Sequence, residues 1–475
     1  MKHLTVTLLV ASTLTSFAGL ASGAAARYDN LSLEQALRIA LENHHSVRVS
    51  QASIDIAEAQ YRQAMAAFGP KANLEAGVQR ADEDRTFTFS GTVMTPAMDL
   101  SSLFGAPPGS VGLPSQPLPL DLKVPMFDRD VVKAGLNLTY PLYTGGRKEA
   151  VTGLARKGVD IAREEQRKTE LEVVRDVHKY YNGAQFARQM EQLASDTLER
   201  FQALEDLTDR LYQNASLKVK KTDYLRSKTT TAITRSMLQE ARYASNLTQS
   251  ALANAMGLPV NSELTLAPAG ALPGFDGALD ALIAEAMKFN PDKQRLELAV
   301  QAAVHQIDDA GSGNKPMVGL EASTYRVWND FKGGLFNDDN QSGWTLGIGV
   351  KWDLFDAGQT RAAVDAARAG KIKLEAQRVL LDNGLAVQIK DDFLRIRRSL
   401  AQVGDNGKAR DYAEENRKLH VRAYQEEMVE TKDVIEAQVI ETIASANLYR
   451  AEHELRAALA DLDYRVGKAV RSNKP

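Results

Sequence analysis

Few residues in this chain have the types and spacing that chemistry needs. The segment TGGRKEAVTG, residues 144 to 153, puts two glycines ahead of a lysine but lacks the GxxxxGK[ST] order of a phosphate loop, so it reads as a tight turn. His44 and His45 are adjacent and would point about 100° apart on a helix, with no further ligand cluster downstream to complete a metal site. His453-Glu454 is followed by Leu-Arg-Ala, not by the second histidine of a zinc-protease helix. Cysteine is absent, which removes thiolate ligands, thiol nucleophiles and disulfides. Asp433 and Glu436, three apart, share one face of a helix. A solvated charge pair is the ordinary reading of such a spacing. The chain is therefore expected to hold no metal and no cofactor and to catalyse nothing.

Composition agrees with that negative. A formal charge of −3 over 475 residues gives no basic surface for nucleic acid. The first 26 residues have a short basic start, an apolar run and a small-residue stretch near Ala24 to Ala26, the pattern of a cleaved signal peptide. Without cysteine the mature chain is expected not to be a lipoprotein. No later stretch reaches the roughly 20 apolar residues of a membrane helix.

The elements that position any site come from an internal repeat. LEQALRIALENHHSV, starting at Leu33, resembles LDALIAEAMKFNPDK, starting at Leu279, and at the same offset Pro70 meets Pro316 and Leu74-Glu75-Ala76 meets Leu320-Glu321-Ala322. YPLYTGGR and WDLFDAGQTR align Gly146 with Gly358, and at that second offset Arg210-Leu-Tyr-Gln faces Arg422-Ala-Tyr-Gln. Asp223 then matches Asp433 and Gly257 matches Gly467. Spacings kept over such lengths mark a duplicated chain. The expected organisation is a signal peptide over 1–26, a first repeat over 27–257, a linker over 258–275, a second repeat over 276–467 and a tail over 468–475.

Within each repeat the hydrophobic period changes. Leu381, Leu385, Ile389, Phe393, Ile396, Leu400 and Val403 recur at steps of four and three, the stripe of a long helix. Long helices are expected over 146–212 and 358–424, each roughly 95 Å at about 1.5 Å per residue, with shorter ones over 33–70, 221–257 and 431–467. Strict alternation marks strand pairs near 72–80 with 131–143 and 317–327 with 343–355. Their second faces are polar or small, as at Asn137, Thr139, Thr345, Gly347 and Gly349, and aromatics Tyr140, Trp344 and Trp352 stand at strand ends like an interfacial girdle. Strands of this length fit an outer-membrane crossing, yet four cannot close a barrel. Two chains would give about eight strands and a packed interior, three about twelve with room for a lumen. The alternative is a periplasmic coiled-coil scaffold without a pore.

The duplicated LSLEQALRIALEN, the strand-to-helix motifs YPLYTGGR and WDLFDAGQTR, and the two RxYQ turns resemble the TolC-type outer-membrane efflux proteins over essentially the whole mature length. That resemblance implies a mainly α fold with transmembrane β: a homotrimer whose 12-stranded outer-membrane barrel continues into a long periplasmic α-helical barrel. It implies an outer-membrane exit duct of a tripartite efflux or type I secretion system. Its partners would be outer-membrane lipid, a periplasmic adaptor and an inner-membrane transporter of RND, ABC or MFS type.

The resemblance also places sites. Asp433 and Glu436 match the carboxylates that ring the tunnel entrance, Tyr424 matches the inner gate tyrosine, and Thr222 and Asp223 match its outer partners. The family's basic residue in the inner turn is replaced by Val429, and the glycine three residues after each tyrosine by Ala215 and Glu427. Lys218, Lys220 and Lys221 on one turn and Glu426, Glu427 and Glu430 on the other are expected to pair laterally around a ring, or to meet the adaptor. Pro141, Gly145, Gly146, Asp356 and Gly358 form the strand-to-helix hinge, with Asp356 and Gln359 as a capping box. Between Pro70 and Pro141 lies an insertion carrying Pro96, Pro107, Pro108, Pro114, Pro117, Pro119 and Pro125, which are expected to exclude any added strand or helix from this extracellular loop.

Overall fold

The structure is a computed structural model, and it describes residues 27–83, 85–127, 129–214, 219–329 and 340–468. The expected signal peptide, Lys218, Ala215 and nearly all of the tail lie outside them. The chain divides into two compact units: Met1–Ile56, Asp160–Leu298 and Leu374–Pro475 form one, and Ala57–Val159 with Ala299–Lys373 the other. The elements run β1 (Arg27–Leu31), α1 (Leu33–Asn43), α2 (His45–Ala66), β2 (Lys71–Arg80), β3 (Arg85–Met94), β4 (Met98–Asp99), β5 (Gly112–Leu113), β6 (Pro117–Phe127), β7 (Asp130–Tyr143), α3 (Arg147–Gln213) and α4 (Lys221–Ala255). They continue with β8 (Glu263–Leu266), α5 (Leu279–Phe289), α6 (Pro291–Gly311), β9 (Met317–Asn329), β10 (Asn340–Lys351), α7 (Gln359–Gln425) and α8 (Thr431–Val466).

In the first unit the repeat is visible as two cores. Ala36, Ala40, Val173, Val177, Ala184, Leu252 and Met256 are buried together. A second cluster contains Leu282, Ala286, Leu385, Ile389, Ile396, Leu462 and Val466, which are the same seven positions at the repeat offsets. Each core is closed by a left-handed glycine at the end of a helix. Gly257 has φ +71° and a Cβ there would meet the Asn43 carbonyl carbon at 2.8 Å, while Gly467 has φ +76° and a Cβ would collide with the Phe289 carbonyl oxygen. Asn43 and Phe289 are themselves equivalent, so the same close approach is made twice.

Those contacts sit where the short helix breaks. The 33–70 segment, expected as one helix, is two, separated at His44, whose backbone is extended and whose Nδ1 accepts the Ser46 amide at 3.2 Å. Asn290 interrupts the second copy in the same way, its Oδ1 accepting the Lys293 amide at 3.1 Å ahead of Pro291. The 258–275 linker is not featureless: β8 pairs in parallel with β1 and lowers Leu264 and Leu266 into the first core beside Leu31.

The second unit contains an antiparallel sheet in the order β10-β9-β7-β2. Register aligns its faces across all four strands: Leu74 opposes Leu136 and Val78 opposes Val132, Leu136 opposes Thr324, and Leu346 and Ile348 oppose Ala322 and Leu320. The apolar face is exposed in the single chain, with Leu74 at 74%, Val78 at 81%, Trp344 at 76% and Ile348 at 68%. The opposite face carries Asn73, Asn137, Ser323 and Thr345, the last two joined by a 2.6 Å hydroxyl contact. β10 ends at Lys351 rather than at 355, because its partner β9 begins at Met317, opposite Lys351. Beyond that point Trp352 donates its indole N–H to the Asn314 carbonyl at 3.0 Å.

The proline-rich insertion needs correction. It holds an antiparallel ribbon of β3 with β6 and a smaller pair of β4 with β5, not an unstructured loop. Pro117 and Pro119 stand at alternate positions of β6, which among the described residues pairs with β3 alone. A missing N–H on its free side interrupts no ladder, so edge prolines are compatible with the strand.

Replacing Gly467 by Ala is expected to lower the thermal unfolding midpoint, the left-handed backbone alone costing about 1–2 kcal/mol and the Phe289 collision adding to it. The same change at Gly158, where a Cβ meets nothing, is the control.

Candidate functional site

Two helical turns in the first unit carry most of the expected site: α3 leads to α4 and α7 to α8. The second turn is described throughout. α7 ends as a Schellman motif, with the Glu427 amide donating to the Tyr424 carbonyl at 3.0 Å and the Met428 amide to the Ala423 carbonyl at 2.8 Å. The residue that such a motif places in the left-handed region is usually glycine. Here it is Glu427, at φ +54°. Val429 then turns inward against Phe201, Leu204, Tyr424 and Val434, so the position that lacks the family's basic residue is used for packing.

Tyr424 is buried at the centre of that cluster, 4% exposed. Its hydroxyl lies 3.0 Å from Thr208 Oγ1 on α3 and 3.0 Å from Thr431 Oγ1 at the start of α8. All three side chains are satisfied by one another or by a helix carbonyl, as Thr208 is by Leu204 at 2.7 Å. Thr222, expected opposite the tyrosine, is exposed. Asp223 is buried and accepts the Lys220 amide at 3.1 Å. Asp433 does the same for Glu430 at 3.0 Å, so the two equivalent aspartates both cap the helix that leaves the turn. Asp433 is half-buried and Glu436 exposed.

Lys220, Lys221, Glu426, Glu427 and Glu430 are all exposed. Within its own turn Glu430 meets Lys432 Nζ at 3.1 Å, a pairing that comparing the two turns by sequence does not bring out. Glu430 correspondingly holds the Lys432 ammonium above its usual range, first through the hydrogen bond and then through its charge. Tyr212, the repeat partner of Tyr424, instead stacks on Tyr224 with ring centroids 5.2 Å apart. One turn is thus tied by buried hydroxyls and the other by an aromatic pair.

The hinge in the second unit follows from backbone conformation. Gly145 and Gly146 have φ +65° and +91°, and a Cβ on Gly145 would meet Lys315 Cβ at 2.7 Å. The second copy places Ala357 at φ +53° before Gly358 at +88°. Asp356 accepts the amides of Gly358 at 3.0 Å and Thr360 at 2.8 Å, so the cap is made to those residues and not as a reciprocal box with Gln359. Hydrogen bonds from Thr360 hold its carboxyl below the usual range. Thr144 serves the first copy, accepting the Lys148 amide at 3.0 Å. Pro141 marks the irregularity where β7 slips register against β9. Tyr140 is half-buried on that strand, whereas Trp344 and Trp352 are exposed.

This duplicated set of long helices with a four-stranded sheet corresponds to a known family. The outer membrane efflux protein profile matches residues 36–258 and 282–468, one stretch in each repeat. The chain belongs to the outer membrane efflux protein family. It is an outer-membrane efflux protein of the transport class and not an enzyme. Solved structures share the fold. The Campylobacter jejuni CmeC outer membrane channel has a TM-score of 0.72 at 13% identity, covering 92% of this chain and 85% of its own. Vibrio cholerae VceC has 0.69 at 17%, covering 92% and 96%, and the open-state Neisseria gonorrhoeae MtrE channel 0.64 at 18%, covering 92% and 88%. No curated protein sequence matches the chain. Among the described residues no helix is long and apolar enough to cross a membrane.

Two stability changes follow for this efflux-family turn. Tyr424→Phe strands the buried Thr431 hydroxyl, while Thr208 keeps its bond to the Leu204 carbonyl, and is expected to cost about 1–3 kcal/mol in chemical denaturation. Glu427→Gly relieves a left-handed side chain and is expected to raise the unfolding midpoint.

Proposed function

We propose that three copies of this chain assemble a twelve-stranded outer-membrane barrel continuous with a periplasmic helical tube, forming the passive exit duct of a tripartite efflux system. The observation that carries this is the sheet: four strands, edges at β2 and β10 left unpaired among the described residues, and one apolar face in register from edge to edge. Hydrocarbon tolerates no open edge, so β2 of one copy must meet β10 of the next. A coiled-coil scaffold has no use for an exposed face containing Leu74, Val78, Leu346 and Ile348.

In this reading the α3–α4 and α7–α8 turns form the periplasmic entrance. Asp433 and Glu436 from three chains surround the opening and favour cations. Tyr424 keeps α7 seated against α3, and Thr222 and Asp223 face the neighbouring elements of the gate. Lys218, Lys220 and Lys221 pair laterally with Glu426, Glu427 and Glu430, competing with Lys432, and the same tips receive the adaptor that couples the duct to an inner-membrane pump of RND, ABC or MFS type. Tyr140, Trp344 and Trp352 sit at the lipid interface, and the Pro141-to-Gly146 and Asp356-to-Gly358 hinges join barrel to tube. A relative named as an open-state channel supports an entrance that changes width.

Single-channel recording of the purified protein in planar bilayers tests the duct. Discrete ion currents with cation preference are expected, and Asp433→Asn with Glu436→Gln should move the reversal potential in a salt gradient toward zero. Absence of current from correctly assembled protein contradicts the duct. Converting Lys218, Lys220 and Lys221 to glutamate should raise conductance by separating the tips; unchanged conductance with normal assembly refutes lateral pairing.

A further inference from the structure

A buried acid deeper in the same helices has no part in the site described so far. Glu441, on α8, is 8% exposed and lies at a junction of three helices. Arg200 of α3 reaches its Oε2 through Nη1 at 3.1 Å, and Arg417 of α7 approaches the same oxygen through Nε. The two arginines differ in environment. The Arg417 side chain is 15% exposed and Arg200 37%.

The duplication shows that the fold does not require an acid there. The equivalent position of the first repeat is Thr231, also buried, whose hydroxyl is satisfied by the carbonyls of Ser227 at 3.1 Å and Phe201 at 3.3 Å. A small, self-satisfied hydroxyl suffices for one helical pair, whereas the other buries a carboxylate, which is costly unless paired. The pairing is directional. Glu441 with Arg417 braces α8 against α7 inside one hairpin, while Glu441 with Arg200 crosses to α3 of the other hairpin, beside the Thr197–Thr442 hydroxyl contact at 3.2 Å.

We propose that Glu441 is a positioning residue that tethers the α7–α8 hairpin to α3 and so sets the resting width of the entrance. This rests on the duct reading. Arg200 is the releasable end: its guanidinium is partly solvated and rehydrates when the hairpins part, whereas Arg417 stays with the acid. Removing the charge at Glu441 leaves two guanidinium groups facing each other from α3 and α7, which pushes these helices apart.

The absence of cysteine permits a direct distance test in the assembled protein. Spin labels at Gln202→Cys on α3 and Glu415→Cys on α7, both exposed in the chain, report the separation of the hairpins by pulsed electron resonance. Glu441→Gln is expected to lengthen and broaden that distance and to raise single-channel conductance several-fold, and Arg200→Glu combined with Glu441→Arg is expected to return both toward wild type. An unchanged distance in Glu441→Gln overturns the tether. If Glu441→Gln does not assemble, Arg200→Gln decides: a longer distance supports the tether and an unchanged one overturns it. Wild-type protein without any current contradicts the duct reading alone, because the distance comparison is read independently of current.

Discussion

The structure depends on a mismatch between what the sheet offers and what one chain can satisfy. Strands β2 and β10 each expose a row of backbone donors and acceptors, and the face between them is apolar. In water such a sheet invites aggregation, and in lipid its edges are untenable. Pairing edge to edge with identical copies removes both problems at once. The register that keeps Leu74, Leu136, Ala322 and Leu346 on one side makes the outer surface continuous, and the polar residues opposite are left for the lumen of the proposed duct.

Duplication gives the chain two similar halves, which the proposed ring would use as equal contributions. Seven core positions recur at the repeat offsets, and Gly257 and Gly467 make the same close approach to Asn43 and Phe289. Besides the insertion and the hinge caps, the halves differ in how the long helices are held together toward the turns. Tyr424 is anchored by threonine hydroxyls where Tyr212 stacks on Tyr224, and Glu441 stands where the first half has Thr231. A fold that tolerates either member of each pair leaves those positions free to serve the proposed entrance.

The periodic elements were legible in the sequence, because a stripe sustained from Leu381 to Val403 fits little but a helix and an alternation over ten residues little but a strand. Legibility was weakest where one contact overrides pattern. The break at His44 depends on a cap and a glycine more than two hundred residues away, and β8 is a strand because β1 lies beside it. The ribbon of β3 and β6 escaped because a proline's effect depends on which edge of a strand it occupies, and that edge is set by pairing rather than by local sequence. At the turns, Asp433 and Asp223 were legible as a repeated pair, but their capping of Glu430 and Lys220 was not, and neither was Lys432 as the partner of Glu430.

The central claim is that the edges of this sheet are closed by two further copies of the same chain, three in all. The mass of the native assembly, extracted from outer membranes and held in lipid nanodiscs, tests it most directly. Three chains per particle is the predicted result. A monomer, or a dimer with its eight strands, would contradict it.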